Sequence, residues 1–168
     1  GVSIARFQEE LSTRQVIRFM PNIAAQVGKA LTAVSAAADA DPLFRDEALE
    51  LAGMAGDTIE LPEYSMAPFT GLCGSGIAYV FSFIHALALG GTKEGIAYDT
   101  AVQIALGTLE GATELVRQSG ENPIALLSKV ISPAGTTIQG VEALEEGRFG
   151  ATVIDAVGRA VRRARELE

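Results

Sequence analysis

Residues 128–147 read SKVISPAGTTIQGVEALEEG, and the fold turns on this stretch. An apolar-periodic segment runs into Ser132-Pro133-Ala134-Gly135-Thr136-Thr137, and a second one, Ile138, Val141, Ala143 and Leu144, runs out of it. The pattern predicts helix, tight turn, helix. Pro133 biases Ser132 away from helical angles, so the first helix stops there. Gly135 can adopt backbone angles closed to other residues and leaves the main chain open to close approach. Thr136 with Gln139 three residues on fits a capping box, which starts the second helix at Thr136 or Thr137.

That geometry has a chemical consequence. The first amides of a helix lack partners within it and sit at the positive end of its dipole. Amides of Gly135, Thr136 and Thr137, with nearby hydroxyls, would converge on a volume suited to a carboxylate or phosphate oxygen. On the local residues alone, a capped helix–helix corner that binds nothing is the simpler reading, because capping boxes are common.

The wider run adds to this. Residues 123–145, PIALLSKVISPAGTTIQGVEALE, closely resemble the signature of the pyrroline-5-carboxylate reductases, whose turn usually reads Ser-Pro-Gly-Gly-Thr-Thr. Ala134 stands where glycine is usual. Residues 72–81, LCGSGIAYVF, resemble the family's Gly-Ser-Gly-Pro-Ala-Tyr helix, with Ile77 in place of proline. Phe19-Met20-Pro21-Asn22 resembles its Met-Pro-Asn segment, which usually continues Thr-Pro; here Ile23 and Ala24 follow. Gly1-Val2-Ser3-Ile4 also resembles a family element, one that lies well inside the full-length proteins. The three motifs stand in the family order.

Residues 1–61 read as mixed α and β. Ile4 to Leu11 suits a helix, QVIRF (residues 15–19) and residues 31–35 suit strands, and Asp41-Pro42 opens a helix that Gly53 or Gly56 ends. Thr58 to Leu61 is a further short strand. Strand, helix, strand is the tail of a doubly wound domain. The expected fold is therefore mostly α: a partial Rossmann-type segment over 1–61, lacking its first strands, then an all-helical dimerisation and substrate-binding domain over 62–168. A chain beginning at Gly1 rather than Met is expected to be truncated or processed. The only Gly-x-Gly near a helix, Gly74-Ser75-Gly76, lacks the third glycine and follows no strand, so it is not a nucleotide loop. Its small residues instead suit a close helix crossing, with a break at Gly74 to Gly76.

Composition narrows the partners. The chain has 168 residues, 48% of them hydrophobic, and a net charge of −8. Nucleic acid is an unexpected partner for so acidic a chain; Arg159, Arg162, Arg163 and Arg165 fall at a helix C-terminus, where positive charge is favoured. One cysteine, Cys73, and no signal-peptide pattern suggest a cytoplasmic protein. Residues 65–92 carry no Asp, Glu, Lys or Arg and are long enough to span a bilayer. Pro68, interior glycines, Ser75, Ser82 and His85 argue instead for a helical core or dimer interface. His85, without another His or a Cys near it in sequence, reads as core or interface packing rather than a metal ligand.

Long helices are expected from Glu94 to Gln118 (Val102, Ala105, Leu106, Leu109, Ala112 and Val116 inward), from Ile124 to Ile131, and from Ala151 to Leu167 (Val153, Ile154, Val157, Ala160, Val161 and Ala164 inward). So apolar a bundle, in a chain this short, should bury surface in a second copy. The family's intertwined helical dimer fits, and higher assembly is compatible with it. No His-Glu-x-x-His, Walker, Cys-x-x-Cys or Gly-x-Ser-x-Gly motif is present.

The resemblance implies reduction of the C=N bond of 1-pyrroline-5-carboxylate to L-proline by NADPH or NADH, a step of proline biosynthesis. It places Val130, Ser132, Gly135, Thr136 and Thr137 at the substrate, with Thr137 matching the family threonine that hydrogen-bonds the ring nitrogen. It places Met20, Pro21 and Asn22 beside the nicotinamide. The competing readings are a non-catalytic helical dimerisation and small-acid-binding module, or a family member reducing another cyclic imine acid.

Overall fold

Strand β2 (Ala30–Ala36) is the centre of a three-stranded sheet in the computed structural model, which describes residues 1–168. β1 (Ile17–Met20) lies antiparallel to it, pairing Ile17 with Ala36 and Met20 with Ala33. β3 (Gly56–Glu60) lies parallel, pairing Ala30 with Gly56 and Val34 with Glu60. The parallel pair needs a crossover, and α2 (Pro42–Gly53) supplies it. Asp41 caps that helix by accepting from the Leu43 amide at 2.8 Å, with Pro42 in the first turn as expected. α1 (Ile4–Leu11) precedes the sheet and is capped by Ser3.

Being central, β2 is buried along most of its length, and both faces show in its sequence. Ala33 packs with Met66 and Phe69 and with the half-buried Met20, Leu31, Leu61 and Cys73. A second cluster joins Ile4, Val16 and Ala37. The Thr32 hydroxyl is buried without a hydrogen-bond partner. Arg18 of β1, 11% exposed, bridges Glu63 at 3.3 Å and Glu168 at 2.8 Å. Glu63 also accepts from the Ile4 amide at 2.6 Å, which ties the start of α1 to the same carboxylate.

After a 3-10 turn at Glu63–Ser65 the chain becomes helical: α3 (Met66–Phe69), a π-turn over Thr70–Gly74, then α4 (Gly76–Lys93). The Ser75 amide reaches back five residues to the Thr70 carbonyl at 2.8 Å, which defines the π-turn. The expected break is therefore a widened turn in a continuing helix. The close crossing sits at Gly71 rather than at Gly74 to Gly76. A Cβ on Gly71 would lie 2.5 Å from Val161 Cγ2 and 3.1 Å from the Val157 carbonyl oxygen, whereas a Cβ on Gly76 would meet nothing within 4 Å.

α5 (Tyr98–Ser119), α6 (Pro123–Val130), α7 (Thr136–Glu146) and α8 (Phe149–Glu166) follow. α5 begins four residues later than Glu94, because Gly95 (φ +98°) ends α4 and the Glu94 and Ile96 amides bond back to its last turn. α8 begins two residues earlier than Ala151. His85 is not in a core: it is exposed, with Nδ1 2.8 Å from the Tyr98 hydroxyl.

Two compact units are present, Gly1–Ala78 with Ile154–Glu168, and Tyr79–Val153. The sheet and both buried clusters belong to the first. In the second only Ala88, Ala101 and Ala105 are buried, and large apolar side chains such as Phe81, Leu89, Ile104 and Leu115 stand exposed. Leu106 and Val116, expected to face inward on α5, are exposed as well.

Candidate functional site

The turn between α6 and α7 is closed by one hydrogen bond, from the Gly135 amide to the Ser132 carbonyl at 3.0 Å. Pro133 takes the second position and Ala134 the third, at φ +56°, as in a type II turn. The residue that enters the left-handed region is therefore Ala134, not Gly135, whose φ of −77° any residue can adopt. Gly135 is needed for space: a Cβ there would collide with Ser132 Oγ and sit 3.1 Å from the Ser132 carbonyl oxygen. The expected close approach is real, and it is made by the turn to itself.

Gly135 is the N-cap of α7, and no side chain caps the helix. The expected capping box does not form. Thr136 lies one residue inside the helix, which puts Gln139 past the third position that the box requires. Two consequences follow for anion binding. The Gly135 amide is spent on closing the turn. The amides of Thr136 and Thr137, first and second in the helix, have no acceptor within the chain. The hydroxyls of Ser132, Thr136 and Thr137 have none either. Ser132 and Thr136 are exposed, Thr137 half-buried, and Val130, the last residue of α6, is 64% exposed. Two free amides thus stand at the positive end of an eleven-residue helix, an arrangement that favours negative charge.

Met20, Pro21 and Asn22 lie in the other unit, at the end of β1. Asn22 Oδ1 accepts from the Ala24 amide at 3.1 Å and caps a short 3-10 turn, Ile23–Val27. Its Nδ2 donates to Cys73 Sγ at 3.2 Å, a link across 51 residues that no sequence spacing announces. An amide nitrogen carries two donors, so one remains free. Exposed Pro21 and half-buried Met20 add an apolar edge beside that donor. This set fits the flat, carboxamide-bearing nicotinamide end of a dinucleotide. No glycine-rich turn links a strand to a helix among these elements.

A cavity of about 670 Å³ opens elsewhere in the first unit, among α1, the ends of β2 and β3, and Arg45. Its charged groups are already paired, Arg45 with Glu60 and Glu63 with Arg18, and it includes none of the expected site residues. Free donors, rather than volume, single out the turn.

The chain resembles known proteins over nearly its whole length. A family model described as pyrroline-5-carboxylate reductase dimerisation matches residues 63–167. The pyrroline-5-carboxylate reductase of Aquifex aeolicus is 38% identical over 168 residues, an overlap of 99% of this chain and 63% of that protein. That of Synechocystis is 41% identical over 167 residues, covering 99% and 62%. The chain thus spans less than two thirds of the length of these curated relatives. Among solved structures, Plasmodium falciparum pyrroline carboxylate reductase with NADP bound superposes at TM-score 0.92 with 26% identity, over 98% of this chain and 67% of that one. The Streptococcus pyogenes 1-pyrroline-5-carboxylate reductase gives TM-score 0.92 and 30% identity, over 99% and 64%.

Proposed function

From a chain that belongs to the pyrroline-5-carboxylate reductase family, we propose the substrate-binding and self-association parts of an enzyme that reduces 1-pyrroline-5-carboxylate to L-proline. The observation that carries this reading is the pair of unpartnered amides of Thr136 and Thr137, with the hydroxyls of Ser132, Thr136 and Thr137 likewise unpartnered, in a turn with the family sequence. The substrate carboxylate takes those two amides and the Ser132 hydroxyl. Gly135 contributes compactness rather than a donor, and Val130 an apolar flank. The Thr137 hydroxyl faces the ring nitrogen and passes it a proton, directly or through water. The chain offers position more than acid strength, because a threonine hydroxyl is a weak acid.

Met20, Pro21 and Asn22 hold the nicotinamide end of NADPH or NADH, which when bound supplies the hydride for the imine carbon. The division of labour runs 1–61 for the nucleotide side and 62–168 for dimerisation and substrate, and the family match from residue 63 supports it. The scarcity of buried residues in Tyr79–Val153 supports a homodimer, or a higher oligomer, through the helices. A cytoplasmic location accords with biosynthetic chemistry.

The deciding experiment is NADPH and NADH oxidation with 1-pyrroline-5-carboxylate, using this chain beside the longest product of its native reading frame. Turnover in either establishes the reaction. Silence in both, in folded and self-associated protein, overturns it and directs attention to another cyclic imine acid or to a binding role.

A further inference from the structure

The π-turn over Thr70–Gly74 touches two of the three residues assigned to the nicotinamide. Cys73 Sγ accepts from Asn22 Nδ2 at 3.2 Å. A Cβ on Gly74 would lie 3.6 Å from Met20 Cε, so the glycine already sits beside the methionine tip. The thiol also points its own proton toward the Leu31 carbonyl of β2 at 3.9 Å. Asn22 is thereby held at both ends of its amide: Oδ1 by the Ala24 N–H and Nδ2 by Cys73. Holding both ends fixes the amide's orientation and turns its remaining N–H to one side. A π-turn carries one residue more than a regular helical turn and is a recurrent device for re-aiming side chains at functional sites.

We infer that this π-turn positions the Met20–Asn22 loop, with Cys73 orienting the Asn22 amide for the nicotinamide dinucleotide. Cys73 is a positioning residue: it acts through Asn22 and touches neither substrate nor dinucleotide. The inference rests on the proposed placing of Met20, Pro21 and Asn22 beside the nicotinamide, and two readouts keep the two apart.

The first readout is the Asn22 side-chain amide resonance in nitrogen-15-labelled protein, compared among the parent, Cys73→Ala and Cys73→Ser. It needs no cofactor. The second is the KM for NADPH against the KM for the imine acid in the same three proteins, and in Asn22→Ala with and without Cys73→Ala. Loss of one such hydrogen bond should raise the NADPH KM about five-fold in Cys73→Ala. The imine KM should stay level, and serine, which keeps a donor and an acceptor, should restore the parent value. In the Asn22→Ala background the cysteine change should have no further effect, since the two residues act as one unit.

An Asn22 resonance indifferent to Cys73→Ala overturns the inference. A shifted resonance with an unchanged NADPH KM overturns the positioning role while the reductase reading stands. Oxidation of neither NADPH nor NADH by this chain and by the longest product of its reading frame overturns the reductase reading, and the resonance still decides whether Cys73 holds Asn22.

Discussion

Ala134 sits at φ +56°, where a side chain crowds the backbone, in the position that the family usually gives to glycine. Ala134→Gly should therefore stabilise the protein by about 0.5–1 kcal/mol, the relief of strain outweighing the glycine's extra entropy in the unfolded chain. Urea unfolding of the two proteins checks this, and a lower midpoint in the variant would show that the alanine is unstrained. Gly135→Ala should do the opposite, because its Cβ meets Ser132 Oγ. Thr137→Ala should lower kcat about a hundredfold if its hydroxyl delivers the proton, with Thr137→Ser retaining most turnover; unchanged kcat in the alanine variant removes Thr137 from that role. Residue types in this turn were legible in the sequence, but their parts were not. Which of Ala134 and Gly135 takes the positive φ depends on where the turn closes. The spending of the Gly135 amide on Ser132 appears only once the backbone is placed.

Among the elements, the π-turn departs furthest from what periodicity predicts. An apolar run with glycines announces a close crossing, and it does not say which glycine makes it. Gly71 lies against α8, 2.5 Å from Val161 Cγ2 by the Cβ it lacks, and 3.0 Å from the Val161 amide nitrogen. Backbone cannot yield as a flexible side chain can, so Gly71→Ala should destabilise by about 1–3 kcal/mol. Gly53→Ala, at the end of α2 with open space around it, should stay within about 0.5 kcal/mol of the parent. Thermal unfolding of both variants tests the contrast, and equal effects would sink the crossing argument. Helix ends followed local signals closely where a cap or glycine marks them: Asp41 caps α2 as expected, Gly120 ends α5 and Asn122 caps α6. The start of α5 was displaced because Gly95 and the last turn of α4 claim the amides between them.

For the whole molecule the deciding quantity is uncovered apolar surface. Glu63–Lys93 is long and apolar enough to cross a membrane by length and composition, with 6% of its most apolar window buried. The unit Tyr79–Val153 buries three alanines and leaves an apolar cleft of about 140 Å³ between α4 and α5, lined by Leu87, Ile96 and Ile104 among others. A second copy of the chain is the cover proposed above. Leu87→Asp with Ile104→Asp should then weaken self-association at least about tenfold, measured by sedimentation equilibrium, because a charge buried in an apolar interface is costly. Undiminished association, or partition into lipid vesicles by the parent, would overturn that assignment. The sequence by itself determined the family, the order of strands and helices, and the helix–turn–helix around Ser132 to Thr137. Those follow from local spacing, proline and glycine placement, and motif order, all of which act within a few residues. Only the tertiary structure decided that Asn22 meets Cys73, that Gly71 rather than Gly74 makes the crossing, and that the Gly135 amide is already taken. Each depends on which distant or turn-closing backbone atoms come within reach, and that is settled by packing rather than by spacing.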